Sequence, residues 1–279
     1  MNTVAPDRYV VIGNPVEHSK SPRIHTLFAA ETAQDLHYDR LLAPLDDFVA
    51  SVRTFMAAGG RGANITVPFK EEAFRLADQL SARAAAAGAV NTLRFDRNGT
   101  IFGDNTDGAG LVRDITANLC RSLHGKQVLL LGAGGAARGV ILPLLLEGPA
   151  RLYIANRTPE KAATLVNEFS ALPDTPTGVL DGGSFGNLAG QHFDIVINAT
   201  SAGLSDTALD LPPGIFAENA LAYDMVYGRD TPFMQQALAA GAQIADGLGM
   251  LVEQAAESFS LWRGVRPATA PVMQALRNS

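Results

Sequence analysis

Short apolar runs alternate with amphipathic stretches along almost the whole chain, the rhythm of βα units with both faces of a sheet covered. In the first hundred residues the runs at 9–12, 36–42 and 63–66 predict strands, with helices over 22–32 and 45–58 between them and further helices starting at Lys70 and Ser81. Residues 90–95 and 100–102 read as a hairpin about Asn98-Gly99, a dipeptide that accepts the positive φ of a tight turn. A helix over 107–119 joins this lobe to a second one. There strands are predicted at 128–131, 151–155, 193–198, 221–227 and 243–245, and Thr231-Pro232 opens a helix with threonine as cap and proline in the first turn. The amphipathic segment 250–262 and a helix from Pro271 have no strand partners of their own and are expected to fold back on the first lobe.

The sharpest break in the pattern comes where the aliphatic run ending at Leu131 gives way to Gly132, Ala133, Gly134, Gly135, Ala136 and Ala137. Strand, turn and helix start fit a dinucleotide-binding unit. Gly132 permits the turn, Gly134 clears the way for a pyrophosphate, and Ala137 lets helix and strand pack closely. A glycine turn in some other α/β unit is the competing reading. The next strand ends in Asn156, Arg157 and Thr158, with Lys161 one turn further on, and lacks the acid that would hold a ribose 2′-hydroxyl. Such a cluster suits a 2′-phosphate, so NADP is favoured over NAD; a solvated basic helix start is the plain alternative.

Composition narrows the partners. At 279 residues the chain suits two lobes better than one core. A formal net charge of -6 provides no global positive field to recruit nucleic acid or an anionic membrane, so the expected partner is a small molecule and any cationic site is local. The lone Cys120 can form neither an intrachain disulfide nor a thiolate metal cluster, and fits a reducing, cytoplasmic setting. His18, His25, His37, His124 and His192 show no paired ligand spacing, so no metal site is expected. Residues 1–8 lack a basic region followed by an apolar run, which predicts no secretory signal. The stretch 128–146 is nearly long enough to span a bilayer, but its glycine turn, Arg138 and Pro143 fit a buried strand and helix better.

Three polar clusters lie where strands are predicted to end. Ser19 and Ser21, at the helix that Pro22 starts, present hydroxyls and free N–H groups to a small carboxylate. Capping alone would also account for Ser21, though not for Ser19. Lys70 stands in a first helical turn, where the helix dipole repels an ammonium and predicts a lowered pKa suited to proton transfer. A solvent-facing lysine neutralised by Glu71 and Glu72 is the other reading. Asp107 opens the linking helix with Thr106 before it as a cap, yet capping leaves unexplained the polar company of Thr66, Asn91 and Asn105. In open α/β sheets that edge is where ligands sit. A lysine and an aspartate meeting there, opposite a nicotinamide, would make an acid/base pair beside a hydride donor.

Taken in order, Val11-Ile-Gly-Asn-Pro-Val-Glu-His-Ser-Lys-Ser-Pro22, Asn64-Ile-Thr-Val-Pro-Phe-Lys70, Gly88-Ala-Val-Asn-Thr92, Gly103-Asp-Asn-Thr-Asp-Gly108, Gly132-Ala-Gly-Gly-Ala-Ala-Arg138, Asn156-Arg-Thr158 and Gly247-Leu-Gly-Met-Leu-Val-Glu-Gln254 resemble the motif series of the NADP-dependent shikimate dehydrogenases, over essentially the whole chain. With the element pattern this gives two α/β domains: a substrate-binding and catalytic domain with a mostly parallel sheet, residues 1–106 completed by 247–279, and a Rossmann-type NADP-binding domain, residues 107–246. The resemblance implies reversible NADPH-dependent reduction of 3-dehydroshikimate to shikimate in aromatic amino-acid biosynthesis, by a monomer or homodimer. Carried across, Lys70 and Asp107 would be the catalytic pair and Ser19 and Ser21 would bind the substrate carboxylate. Thr66, Asn91, Asp107 and Gln254 would bind its hydroxyls. Gly132, Ala133, Gly134, Gly135, Ala136 and Ala137, with Asn156, Arg157, Thr158 and Lys161, would hold NADP; Met225, Tyr227 and Gly247 would lie around nicotinamide and substrate. Ile65 replaces a common valine, a change between β-branched apolar residues. Two rivals are a quinate-preferring relative, disfavoured by the paired serines, and a non-catalytic NADP-binding sensor, which would have no need to keep both Lys70 and Asp107.

Overall fold

The apolar runs of the first lobe pair into one six-stranded sheet. Its elements are β1 (Asp7–Gly13), α1 (Ser21–Glu31), β2 (Leu36–Leu42), α2 (Phe48–Ala57), β3 (Gly60–Ile65), α3 (Lys70–Leu76), β4 (Gln79–Leu80), α4 (Ala82–Ala87), β5 (Thr92–Phe95) and β6 (Ile101–Asp104). The strand order is β2-β1-β3-β5-β6-β4. β1 runs parallel to β2 and β3, and β4 to β6, while β5 is antiparallel to both its neighbours. That antiparallel insert is the predicted hairpin, with Gly99 at φ +88° in its turn. Ile12, Ile65 and Leu93 of the strands meet Phe48, Phe55 and Phe69 in one buried cluster. Each such side chain stabilises the fold by about 1.5–3 kcal/mol on leaving water.

The computed structural model describes residues 6–173, 175–200 and 207–278; residues 1–5, on which the expectation of no secretory signal largely rests, lie outside that range. In the second half come α5 (Asp107–Arg113), β7 (Gln127–Leu131), α6 (Gly135–Leu146), β8 (Arg151–Ala155), α7 (Pro159–Ser170), β9 (Leu180–Gly183), β10 (Phe193–Asn198), β11 (Phe216–Asp224), α8 (Pro232–Ala239), β12 (Gln243–Ala245), α9 (Leu248–Arg263) and α10 (Ala270–Arg277). The sheet order β12-β11-β10-β7-β8-β9, with every pair parallel, is the doubly wound arrangement. Its strand order reverses between β7 and β10, the crevice where such sheets take ligands.

Two expectations shift. The linking helix is α-helical only to Arg113 and then widens into a π turn over Asp114–Asn118. The strand predicted at 221–227 starts earlier and stops at Asp224, whose Oδ1 accepts the Val226 N–H at 3.0 Å and turns the chain out of the ladder. Thr231 caps α8 as expected, accepting the Met234 N–H at 3.3 Å. The chain divides into two compact units, one running to Gly110 and resuming at Val252, the other Leu111–Leu251. The C-terminal stretch thus returns to the first lobe. There the Trp262 Nε1–H donates to the Leu93 carbonyl at 3.0 Å, and Trp262 stacks on Tyr9. No helix of the described residues is long and apolar enough to cross a membrane. Among those residues no group of three or more His, Cys, Asp or Glu is placed to hold a metal.

His25 is fully buried on α1, stacked on Tyr38 with ring centroids 4.2 Å apart, and neither ring nitrogen has a hydrogen-bond partner. Burial drives its pKa down to about 3, against a weak opposing pull from Asn64, whose amide is turned toward Thr92 and Ser258 instead. Unfolded, the ring protonates near its ordinary 6.5. Stability is therefore undisturbed above that value and falls as pH drops from 6.5 toward 3. The linkage amounts to about 2 kcal/mol between pH 7 and pH 5. Urea titrations at those two pH values should show the native chain losing about that much more stability than His25→Leu; equal losses would contradict a neutral buried ring.

Candidate active site

Strand register assembles the candidate catalytic edge. Thr92 at the start of β5 pairs with Asn64 near the end of β3 on one side and with Asp104 at the end of β6 on the other. The antiparallel insert thus brings three segments to one place: the chain leaving β3 toward Lys70, the residues entering β5 at Asn91, and the chain leaving β6 toward Asp107. Lys70 is the first residue of α3 and Asp107 the first of α5. Their side chains meet with Lys70 Nζ 2.6 Å from Asp107 Oδ2, the lysine 32% and the aspartate 15% exposed. The helix dipole that disfavours an ammonium at this position is answered by the facing carboxylate. Lys70 is thus paired across the site and makes no ion pair with Glu71 or Glu72 among the described residues.

Asn91 fixes the other carboxylate oxygen. Its Oδ1 accepts the Thr106 backbone N–H at 2.9 Å, a donor whose identity is unambiguous, so the amide can stand only one way round. Nδ2 then donates to Asp107 Oδ1 at 2.8 Å and to Gln254 Oε1 at 3.2 Å. Gln254, delivered by α9, also accepts from Thr106 Oγ1 at 3.3 Å. The expected capping of α5 by Thr106 is corrected: Asn105 Oδ1 takes the Asp107 N–H at 3.2 Å, which leaves the Thr106 hydroxyl in the network. Thr66, half-buried beside this cluster, is held by its N–H donating to the Ile12 carbonyl at 2.9 Å.

The serines lie at the end of the neighbouring strand β1, where the Asn14 N–H donates to the Val67 carbonyl at 3.0 Å. Ser21 is the first residue of α1, not its cap. Lys20 occupies the cap position and makes no side-chain cap bond, and Ser19 Oγ accepts the Ser21 N–H at 3.3 Å. The reason is geometric: the helix begins one residue before Pro22, so the hydroxyl two positions ahead reaches the free N–H.

In the second unit, Gly132 takes φ +107°, and a Cβ there would press on the Ala199 backbone at 3.2 Å. The turn needs glycine. Gly134 and Gly135 are exposed, and a Cβ on either would meet nothing within 4 Å. Open space above backbone at a helix start, with the first N–H groups of α6 lacking intrahelical partners, would suit a pyrophosphate. Ala133 and Ala136 flank it, and Ala137 is fully buried against the sheet. At the end of β8, Asn156 Nδ2 donates to the Thr158 carbonyl at 2.9 Å and shapes the turn that exposes Arg157, Thr158 and Lys161. Thr158 makes no side-chain cap bond, and among the described residues neither Arg157 nor Lys161 is in an ion pair. These residues fit a phosphorylated ribose. Arg138, by contrast, pairs with Glu168 and covers the Phe169 ring. Met225 and Gly247 lie at the same sheet edge: the Met225 N–H donates to Asn198 O and the Gly247 N–H to Val226 O, both at 3.0 Å. Any side chain at Gly247 would strike the Met225 carbonyl at 2.2 Å. Tyr227, in the loop after β11, is half-buried, and burial raises its pKa.

Sequence reasoning gave no role to Tyr38, Thr92 or Ser258, which pack behind Asn91. The available signal was Asn64, a polar residue inside the otherwise apolar end of β3.

Comparison with known proteins agrees along the chain. Family models match for the shikimate dehydrogenase substrate binding domain over residues 11–93, for shikimate / quinate 5-dehydrogenase over 114–205, and for the shikimate 5'-dehydrogenase C-terminal domain over 247–277. The chain is 62% identical over 273 residues to the shikimate dehydrogenase (NADP(+)) of Dechloromonas aromatica, covering 97% of each. Among solved structures it is similar to an Ael1 enzyme from Pseudomonas putida, with TM-score 0.90 and 50% identity over 97% of this chain and 98% of that one. It is also similar to shikimate 5-dehydrogenase from Thermus thermophilus in complex with NADP(H) and shikimate, with TM-score 0.85 and 33% identity over 98% and 99% of the two chains.

Proposed function

We infer the chemistry from one premise: the chain belongs to the shikimate dehydrogenase family. It is an NADP-dependent oxidoreductase acting on a CH–OH group, and its reaction is the reversible reduction of 3-dehydroshikimate to shikimate, on the route to chorismate and the aromatic amino acids. The observation that carries the residue roles is the Lys70–Asp107 pair at 2.6 Å with Asn91 clamping the second carboxylate oxygen.

The hydride for the ring carbon comes from NADPH. In reduction the Lys70 ammonium gives a proton to the substrate's carbonyl oxygen; in oxidation the neutral amine takes it back from the hydroxyl. Asp107 holds Nζ in place and, with Asn91 bonded to its other oxygen, is kept from rotating away. Ser19 and Ser21 receive the substrate carboxylate at the start of α1, where their hydroxyls and the positive end of the helix dipole favour an anion. Thr66, Asn91, Asp107 and Gln254 read the ring hydroxyls, with Tyr227 alongside the substrate. A site of this kind rejects analogues that leave its buried polar groups unpaired. Gly132 to Ala137 carry the pyrophosphate, Asn156, Arg157, Thr158 and Lys161 the 2′-phosphate, and Met225 and Gly247 border the nicotinamide. The substrate role falls to residues 1–106 with 247–279, and the NADP role to 107–246. The free, exposed Cys120 fits a reducing cytoplasm, where the protein works as a monomer or homodimer.

The test is NADP+ reduction with shikimate and with quinate, in the native chain and in Arg157→Ala. Shikimate is expected to be oxidised much faster than quinate. The variant should raise the KM for NADP+ by about tenfold, the worth of one charge-assisted hydrogen bond, and leave kcat near native. Turnover with quinate alone would favour the quinate-preferring rival, and an unchanged KM would remove Arg157 from the phosphate site.

A further inference from the structure

Arg40 lies near the end of β2, paired with Val11 of β1 in the parallel register. Two positions before it on the same strand face, Tyr38 is buried against the His25 ring of α1, so Arg40 sits one step nearer the edge where α1 begins. Its Nη2 donates to the Ser19 carbonyl at 2.6 Å, a short charge-assisted bond. Ser19 Oγ in turn accepts the Ser21 N–H at 3.3 Å. A serine's hydroxyl oxygen stays within about 4–5 Å of its own carbonyl oxygen, which puts the guanidinium within roughly 7 Å of the Ser19 hydroxyl. The charge is not cancelled on the spot. Among the described residues Arg40 makes no ion pair, whereas Arg83, Arg151 and Arg263 each hold a carboxylate. The acids beside it and beside Ser19 in sequence are turned elsewhere: Asp39 Oδ1 accepts the Arg40 backbone N–H at 2.8 Å and Oδ2 lies 3.7 Å from His37, while Glu17 Oε2 accepts the Val16 N–H at 3.1 Å.

We propose that Arg40 is a specificity-determining residue for the acid: its charge, fixed at the Ser19 carbonyl, sets how strongly the serine pair draws an anionic substrate. The inference rests on the functional reading above, which gives Ser19 and Ser21 the substrate carboxylate. With a net charge of -6 the chain as a whole repels an anion, and a cation confined to the start of α1 opposes that field where it matters. An exposed bond of this kind contributes little to folding, so its consequence lies in binding. Arg40 touches no substrate itself; it acts through the field at Ser19, so its loss weakens ground-state binding and leaves proton transfer alone.

Arg40→Ala removes both the charge and the bond, whereas Arg40→Lys keeps the charge and loses the planar fork. At about 10 mM salt, where the Debye length is about 30 Å, Arg40→Ala should raise the KM for shikimate. The expected rise is about three- to tenfold, what one charge roughly 7 Å away is worth when screened slightly less than in bulk water. At about 1 M salt the Debye length shrinks to about 3 Å, and the ratio of variant to native KM should fall to within about twofold. Through both conditions kcat and the KM for NADP+ should stay within about twofold of native, and Arg40→Lys should recover most of the low-salt binding. An unchanged KM for shikimate at low salt overturns the inference. A rise that persists at high salt and that lysine does not repair would make Arg40 a pin for the loop only, and also overturns it. The native chain is the control: absence of shikimate turnover there would sink the functional reading, whereas native turnover with an indifferent Arg40→Ala sinks this inference alone.

Discussion

Replacing Lys70 with alanine is expected to lower kcat for shikimate oxidation by about 10²- to 10⁴-fold, the usual worth of a positioned proton-transfer group, while NADP+ binding stays within about twofold. The asymmetry follows from where the groups stand. Lys70 opens α3 in the first compact unit, whereas the glycine turn and the Arg157 cluster belong to the second. The pair geometry sharpens the expectation. Asp107 Oδ2 has Lys70 as its partner at 2.6 Å, and Oδ1 is taken by Asn91 at 2.8 Å. Removing the ammonium leaves a side chain that can still bind a hydroxyl but takes away the donor that relays the proton. KM for shikimate should therefore move much less than kcat. Steady-state kinetics with a fluorescence titration of NADP+ decides the matter: near-native kcat in the variant would mean that the proton travels by another route.

Much of this was legible in the sequence because it depends on short-range pattern. Strands β2, β8, β10 and β12 coincide with their expected ranges; β8 and β10 are apolar runs almost wholly buried, which leaves little other reading of so short a segment, whereas β2 and β12 are edge strands with most positions exposed. Gly132 was legible because only glycine meets the positive φ that the turn requires. Other features rest on contacts between distant positions. The two-residue β4 and the glycine-rich β9 have too few side chains to show a period. The Ser19 bond to the start of α1 depends on where the helix begins, which shifts by a residue with no change in composition. Asn64 stands 194 positions from Ser258, and only the sheet register and the returning α9 bring them together.

Asp104→Asn should destabilise the chain by about 3 kcal/mol, the lower end of the cost of breaking a buried ion pair by removing one partner. Asp104 sits at the end of β6 with its side chain 5% exposed, gripped bidentately by Arg83 at 2.8 and 2.6 Å. It also accepts the Asn105 N–H at 2.8 Å and a hydrogen bond from Ser81. Burial pushes its pKa up, but the hydrogen bonds and charge of Arg83, with Ser81 and the Asn105 N–H, outweigh that and hold it below the ordinary 3.8. This carboxylate's stabilisation is complete above that value and disappears as pH falls through the lower, folded-state pKa. The variant keeps the shape of the side chain and, among the described residues, leaves the Arg83 guanidinium with only Glu257, 3.6 Å away, as an ion-pair partner. Arg83 is 27% exposed, so water recovers part of the loss, which is why the lower figure applies. Because the Asp104 carbonyl accepts the Asn91 N–H at 3.0 Å, loosening β6 should also reach the catalytic edge, as a higher KM for shikimate at temperatures where the variant is still folded. Urea titration at pH 7 measures the first effect. The paired change Asp104→Leu with Arg83→Met separates charge from packing, since removing both ions together should restore most of the lost stability. A single-variant cost below about 1 kcal/mol would place the pair with exposed ion pairs, whose strength is of that size, and would leave the hairpin's apolar packing as what holds Asn105, Thr106 and Asp107 in register.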